Sequence, residues 1–262
     1  MNTYTFLRLG RVGRLGNQLW QVAATLNRAE REGARAAIPP NWEYRPYFSL
    51  PESVYGTVPG AVEMEREPDG PYYQELRHID LVAPQLRDWF GPSERGAEEL
   101  YERHERLIWL TESRHCTAIH VRRTDYLDVA DRFPQLTRRY RETAAVRVPT
   151  GTTFLVFSDD IPWCRENVEE LGIAGRAVEF VEGAVTPVDP EARAGVPKHD
   201  ILDLWLMSRC ATHVIANSSY SWWGAYLSDQ QQVFYPSVWF GDPALYATMW
   251  NCIPSHWEKL AC

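Results

Sequence analysis

Lysine is nearly missing from this chain. It stands only at positions 198 and 259, so 25 of the 27 basic residues are arginine. That bias reads as compositional rather than chemical. Cysteine is sparse too: residues 116, 164, 210, 252 and 262 are odd in number and widely spaced. No CxxC pair occurs and no Cys/His group has the spacing of a zinc site, which argues against a disulfide scaffold or a zinc module. The thiols read as reduced. No run approaches the ~20 apolar residues of a membrane span, and the start "MNTYTFLRLGRVG" has no apolar signal-peptide core. A soluble, cytoplasmic protein without a transmembrane segment is expected, and peripheral membrane contact is compatible with that. Excess positive charge is also lacking. The net charge is −8, which argues against nucleic acid as a partner.

What the chain has in quantity is aromatic surface: 11 Trp and 13 Tyr among 262 residues. These fill large cores or form platforms for a ring-shaped ligand. The length suits two domains. Residues 1–50 carry seven arginines (8, 11, 14, 28, 31, 35 and 45) against three acids, Glu30, Glu32 and Glu43.

"YTFLRL" (4–9) reads as a strand. The turn "GRVGRLGNQ" follows, then a helix over 18–32 ended by Gly33, and "ARAAI" (34–38) as a second strand. Residues 39–75 are rich in Pro, Gly and aromatics and read as irregular. Trp42, Tyr44, Tyr47 and Phe48 there serve either a binding face or the core. A helix is predicted over 96–110. From 117 onward strands and helices alternate: strands at 117–121, 153–158, 177–181, 212–216 and a last one at 233–236, with helices at 136–148, 161–172 and 200–210. Such alternation predicts a mainly parallel α/β sheet covered on both faces. Domains are expected at 1–112 and 113–240, with a tail over 241–262 packing back on the fold.

In parallel sheets ligands bind beyond the carboxyl ends of the strands, and here those ends are polar: "RRTDY" after 121, "SDD" at 158–160 and "NSSYS" at 217–221. Arg122 and Arg123 suit a diphosphate, because guanidinium is always charged and grips oxygens as a fork. At ~4 Å from a phosphate one arginine gains on the order of 4 kcal/mol at an effective dielectric near 20. Neighbours on a strand point to opposite faces, so both reach one phosphate only if the strand has ended. Asn217, Ser218, Ser219 and Ser221 open a helix, either to favour an anion or simply to cap it. Asp159 and Asp160, beside Ser158, could accept hydrogen bonds from a base edge or ribose, and Asp160 could equally be a cap. No third carboxylate or histidine stands at metal-ligand spacing nearby, so no metal and no cofactor are expected. His120 lies in an apolar strand, a structural or base-edge contact more than a proton acceptor. The glycine turn (Gly10, Gly13, Gly16) is not a dinucleotide fingerprint. Asn17 and Gln18 there either bind sugar hydroxyls or cap the helix.

Four blocks, "RLGNQLWQVA" (14–23), "HVRRTDY" (120–126), "FSDDIPWCREN" (157–167) and "DLWLMSRCATHVIANSSYSWWGAYL" (203–227), together resemble the α-1,2-fucosyltransferases of glycosyltransferase family 11. The likeness spans most of the chain except 39–95 and the C-terminal tail. "HxRRxDY" is shared with α-1,6-fucosyltransferases, and "ANSSYSWWGA" discriminates better. The resemblance implies a GT-B-type fold, two Rossmann-like domains with an interdomain cleft. It implies inverting, metal-independent transfer of fucose from GDP-β-L-fucose, usually to O2 of a terminal galactose on an oligosaccharide acceptor. It makes Arg122, Arg123 and Asp125 the catalytic candidates. Donor contacts would come from His120, Arg122, Arg123, Ser158, Asp159, Asp160, Asn217, Ser218, Ser219 and Ser221. Gly16, Asn17 and Gln18 would lie on the acceptor side. Asp125 is the first candidate for the base, or else the orienter of an arginine. Arg14 stands where the family usually has glycine and Trp20 where phenylalanine is common. Competing expectations are another GDP-sugar transferase on the same scaffold, such as an α-1,6-fucosyltransferase, and a non-catalytic carbohydrate-binding protein.

Overall fold

The computed structural model describes residues 2–65, 70–113, 115–182, 198–229, 232–242, 245 and 250–262. They fall into two compact units. The first runs to Glu99 and takes in Lys198 and residues 250–253; the second holds the rest. The division lies inside a helix, ahead of the expected boundary at 112.

In the first unit a strand Thr3–Thr5 (β1) leads through a turn to helix Leu15–Arg31 (α1) and strand Arg35–Ala36 (β2). β1 is shorter than its apolar sequence predicts. The chain turns at once, with Leu9 N–H bonded to Phe6 O and Arg11 N–H to Arg8 O. Gly10 and Gly13 sit at φ +82° and +78°, where a side chain would be strained. α1 buries Leu15, Leu19, Trp20, Val22 and Ala23, each large apolar side chain contributing about 1.5–3 kcal/mol. It stops at Gly33, whose φ of +55° turns the chain into β2. A third strand, Val62–Glu63 (β3), lies in the segment expected to be irregular, and pairs parallel to β1 to give the order β2–β1–β3. Two residues are too short for a period-2 pattern to announce a strand. Helix Ala83–Trp89 (α2) follows, and helix Glu94–Glu112 (α3) holds the division at Glu99 and is interrupted by non-helical backbone at His104. Trp42, Tyr44, Tyr47 and Phe48 are all buried. Trp42 stacks on Phe48 with centroids 5.3 Å apart, so these aromatics serve the core.

The second unit is one six-stranded parallel sheet. Its strands are Cys116–Val121 (β4), Thr153–Ser158 (β5), Ala177–Phe180 (β6), Thr212–Val214 (β7), Gln232–Pro236 (β8) and Glu258–Leu260 (β9), in the order β6–β5–β4–β7–β8–β9. β9 departs from expectation, since the tail itself supplies the edge strand after 233–236. Its exposed, charged Glu258 and Lys259 hide the strand signal. Helices Thr124–Leu127 (α4), Arg138–Ala145 (α5), Ile161–Glu166 (α6), His199–Ser208 (α7) and Ser219–Tyr226 (α8) fill the crossovers. The helix predicted over 161–172 breaks at Asn167, and Val168–Leu171 is a 3-10 turn.

β4 is buried along its whole length between β5 and β7. One face of the sheet, with Ile119, Val121, Val156, Val214 and Phe234, packs on Tyr140, Ala144, Ile161 and Cys164 of α5 and α6. Tyr140 Oη donates to the carbonyls of Ile215 (2.7 Å) and Phe234 (3.0 Å), fastening α5 to the end of β7 and the middle of β8. The strand order runs outward from β4 to β5 and β6 on one side, then to β7, β8 and β9 on the other. The topological switch point therefore lies between β4 and β7, where open α/β sheets leave a crevice at the carboxyl edge.

Candidate functional site

β4 ends at Val121, and its next two residues are Arg122 and Arg123. The strand has therefore finished before the arginines, which frees both from strict alternation. Arg122 is held by acids. Its Nη2 lies 2.5 Å from Asp125 Oδ1 and its Nη1 2.7 Å from Asp159 Oδ2. Its guanidinium carbon is also 5.0 Å from the Tyr126 ring centroid. Arg123 is held by a ring. Its guanidinium carbon stands 3.7 Å over the centroid of Trp163, and its Nε is 3.3 Å from Asp160 Oδ2.

The two acids after β5 have distinct tasks. Asp159 accepts from the backbone N–H of Arg123 (2.8 Å) and from Thr124 Oγ1 (2.5 Å) as well as from Arg122. Its side chain is 7% exposed, and it ties β4 to β5. Asp160 caps α6, its Oδ1 accepting the Trp163 N–H at 3.2 Å, while Ser158 Oγ accepts the N–H of Asp160 at 2.9 Å. Three carboxylates thus face two guanidiniums. The acids offset part of the positive charge and fix the direction of both side chains.

The far bank of the switch point is the turn after β7. Asn217 donates through Nδ2 to the carbonyls of Pro134 (3.1 Å) and Trp239 (3.0 Å). Ser218 caps α8 by accepting the Tyr220 N–H at 3.3 Å. Ser221 Oγ accepts the N–H of Ala216 at 3.2 Å and is fully buried. These side chains build the turn; Ser219 and Tyr220 are the half-exposed members of the run. Tyr126 Oη donates to Asn217 O at 3.1 Å and so bridges the two banks.

His120 lies under this surface, 7% exposed, its ring 5.5 Å from that of Tyr220. Burial pushes its imidazole down to about 4, against the upward pull of the Asp159 carboxylate. It is neutral near pH 7 and a poor proton acceptor, and among the described residues its Nδ1 makes no hydrogen bond. His213 in β7 is pushed down to about 4 by burial as well.

The second unit therefore brings together Arg122, Arg123, Asp125, Ser158, Asp159 and Asp160, with the turn at 217–221 joined to them through Tyr126. Gly16, Asn17 and Gln18 belong to the first unit. Gln18 accepts from Trp42 Nε1 at 2.7 Å and donates to Gly13 O at 3.2 Å. Asn17 Oδ1 accepts from Gln74 Nε2 at 2.7 Å. Among the described residues no group of three or more His, Cys, Asp or Glu side chains is placed to hold a metal ion, and no helix is long and apolar enough to cross a membrane. Sequence reading passed over Thr124, Tyr126 and Trp163. Trp163 had a local signal: it is the third residue after the cap Asp160, the position whose N–H the cap receives.

The chain is similar to several known glycosyltransferases. An E. coli alpha-1,2-colitosyltransferase is 29% identical over 80% of this chain and 66% of its own. The E. coli O-antigen biosynthesis glycosyltransferase WbnK is 28% identical over 64% of this chain and 54% of its own. The chain thus spans between half and two thirds of the length of these relatives. Galactoside alpha-(1,2)-fucosyltransferase 2 of Oryctolagus cuniculus is 28% identical over 85% of this chain and 67% of its own. A crystal structure of the fucosyltransferase NodZ from Bradyrhizobium aligns with 87% of this chain and 93% of its own, at 16% identity and a TM-score of 0.46. The family model of glycosyl transferase family 11 matches residues 70–238, which include both banks of the switch point, and the chain belongs to that family.

Proposed function

We propose that the protein transfers L-fucose from GDP-β-L-fucose to a glycan hydroxyl, O2 of a terminal β-galactose, with inversion and without a metal. The observation that carries the reading is the arginine pair at the end of β4, on one bank of the switch point and inside the family match. In the proposed step the bond from the anomeric carbon to the GDP oxygen breaks as the acceptor oxygen bonds from the opposite face. The leaving diphosphate takes the electron pair. Preorganised guanidinium groups stabilise the charge that develops on it, and the N-terminal turn of α8 adds to this.

The acceptor's proton needs a destination. His120, neutral and buried, is poorly suited. Asp125, bonded to Arg122 but with its side chain 38% exposed, is the candidate base. A second reading, transfer of a colitosyl group, is favoured by the name of the 29%-identical relative.

The test is GDP release from GDP-fucose with lactose as acceptor, in EDTA, for the wild type and Arg122→Ala. Acceptor-dependent release that survives EDTA and collapses in the variant, at a temperature where its melt shows it folded, supports an arginine-based, metal-free transfer. Competition by GDP-mannose, UDP-sugars and a colitosyl donor ranks the donors, and product linkage analysis decides α-1,2. GDP-fucose that binds without release overturns the acceptor; failure to bind overturns the donor.

A further inference from the structure

We infer that Trp163 is a positioning residue for the donor's diphosphate, acting through Arg123. The inference rests on the donor reading above. Arg123, Asp160 and Trp163 form a closed triangle. The guanidinium carbon is 3.7 Å from the indole centroid, Nε is 3.3 Å from Asp160 Oδ2, and the other oxygen of Asp160 accepts the backbone N–H of Trp163 at 3.2 Å. The ring therefore supports the guanidinium from below while the carboxylate holds its inner nitrogen.

Among the described residues the two terminal nitrogens of Arg123 make no hydrogen bond, and they are not shut away from solvent. They form the half of the fork that matches a pair of phosphate oxygens. Arg122 differs, because both of its terminal nitrogens already face carboxylates. Without the indole, Arg123 keeps only one long contact to Asp160 and loses the surface that fixes its plane. An arginine on a long flexible stem then has to be ordered by the ligand itself, which weakens binding. Trp163 is also partly buried against the core of the second unit, so thermal melts are needed to separate a packing loss from a positioning one.

The test is GDP titration by calorimetry, with thermal melts, for the wild type, Trp163→Met, Trp163→Phe, Arg123→Ala and the Trp163→Met/Arg123→Ala double variant. Methionine keeps apolar volume without a π face, and phenylalanine restores the face. Trp163→Met is expected to weaken GDP about three- to tenfold, and Trp163→Phe less than about threefold. In the Arg123→Ala background Trp163→Met should change affinity less than about twofold. The KM for GDP-fucose should rise in step with the GDP dissociation constant while kcat moves less. An equal loss in both backgrounds, or a loss matched by Trp163→Phe and by a lowered melting temperature, overturns the positioning role. A wild type that fails to bind GDP overturns the donor reading itself, a result distinct from either.

Discussion

The two units treat the polar residues that follow their strands in opposite ways. After β1, Asn17, Gln18 and Gln21 are spent inwardly: Gln18 on Trp42 and Gly13, Asn17 on Gln74, Gln21 on the carbonyls of Val12 and Pro71. They hold a glycine turn in place. After β4 and β5 the polar residues are charged, and they constrain one another while Arg123 keeps its outer nitrogens open. Neutral amides satisfy backbone carbonyls well, whereas guanidinium and carboxylate groups build a rigid frame that can still meet an anion. The chain that follows a parallel strand thus yields a scaffold in one unit and a candidate reaction surface in the other.

The largest break of this contrast comes from Arg122→Ala. It leaves Asp159, with a side chain 7% exposed, facing no guanidinium. We expect about 3–5 kcal/mol of lost stability, read from urea unfolding, together with loss of GDP release. Stability within about 1 kcal/mol of wild type would show that the carboxylate frame stands without its cation.

Acidification should strike the second unit next. His120 and His213 have folded-state values near 4, below the ordinary 6.5, because burial disfavours the imidazolium. The unfolded chain binds protons more readily between those values. The stability is therefore complete above about pH 6.5 and is lost as pH falls towards about 4, by up to roughly 3 kcal/mol for each histidine. Unfolding free energies measured at pH 7.5 and 5 should drop about 2 kcal/mol less in His213→Leu than in wild type. An unchanged pH dependence would place the acid sensitivity elsewhere.

Gly224→Ala tests how tightly α8 is seated. A Cβ there would stand 2.4 Å from the sulfur and 2.9 Å from Cγ of the fully buried Met207 in α7. A cost of about 1–3 kcal/mol is expected from overpacking, seen as a lowered melting temperature, and the turn at 217–221 should loosen with it. No change in the melt would mean that Met207 moves aside freely.

The smallest effect sharpens the first unit's half of the contrast. Gln18→Ala removes the acceptor of the buried Trp42 Nε1–H. A loss of about 1–2 kcal/mol in stability with unchanged GDP affinity is the expected pair of results. A fall in GDP affinity would assign Gln18 to the donor instead.

Much of the second unit was legible in advance. Buried parallel strands such as "CTAIHV" and "TFLVFS" are continuous apolar runs, and their ends are marked by abrupt charge. What escaped was short or edge-bound. β3 has two residues, and β9 carries a glutamate and a lysine at the surface. In the candidate site, the residue types at the strand ends were readable, while their partners were not. Nothing in "RRTDY" says that Asp159, 37 positions beyond Arg122, binds the first arginine, or that Trp163 carries the second.

Sequence alone determined the fold class, the positions of the polar strand ends and the likeness to a sugar-transferring family. These depend on local pattern: period, apolar run length, and glycine or serine at turns. Tertiary structure alone decided how the charges pair and which hydrogen-bonding groups are used up. Strand order places β5 beside β4, and register sets Val121 opposite Ser158. Only then do Arg122 and Asp159 meet, because an ion pair depends on distance in space and not on separation along the chain.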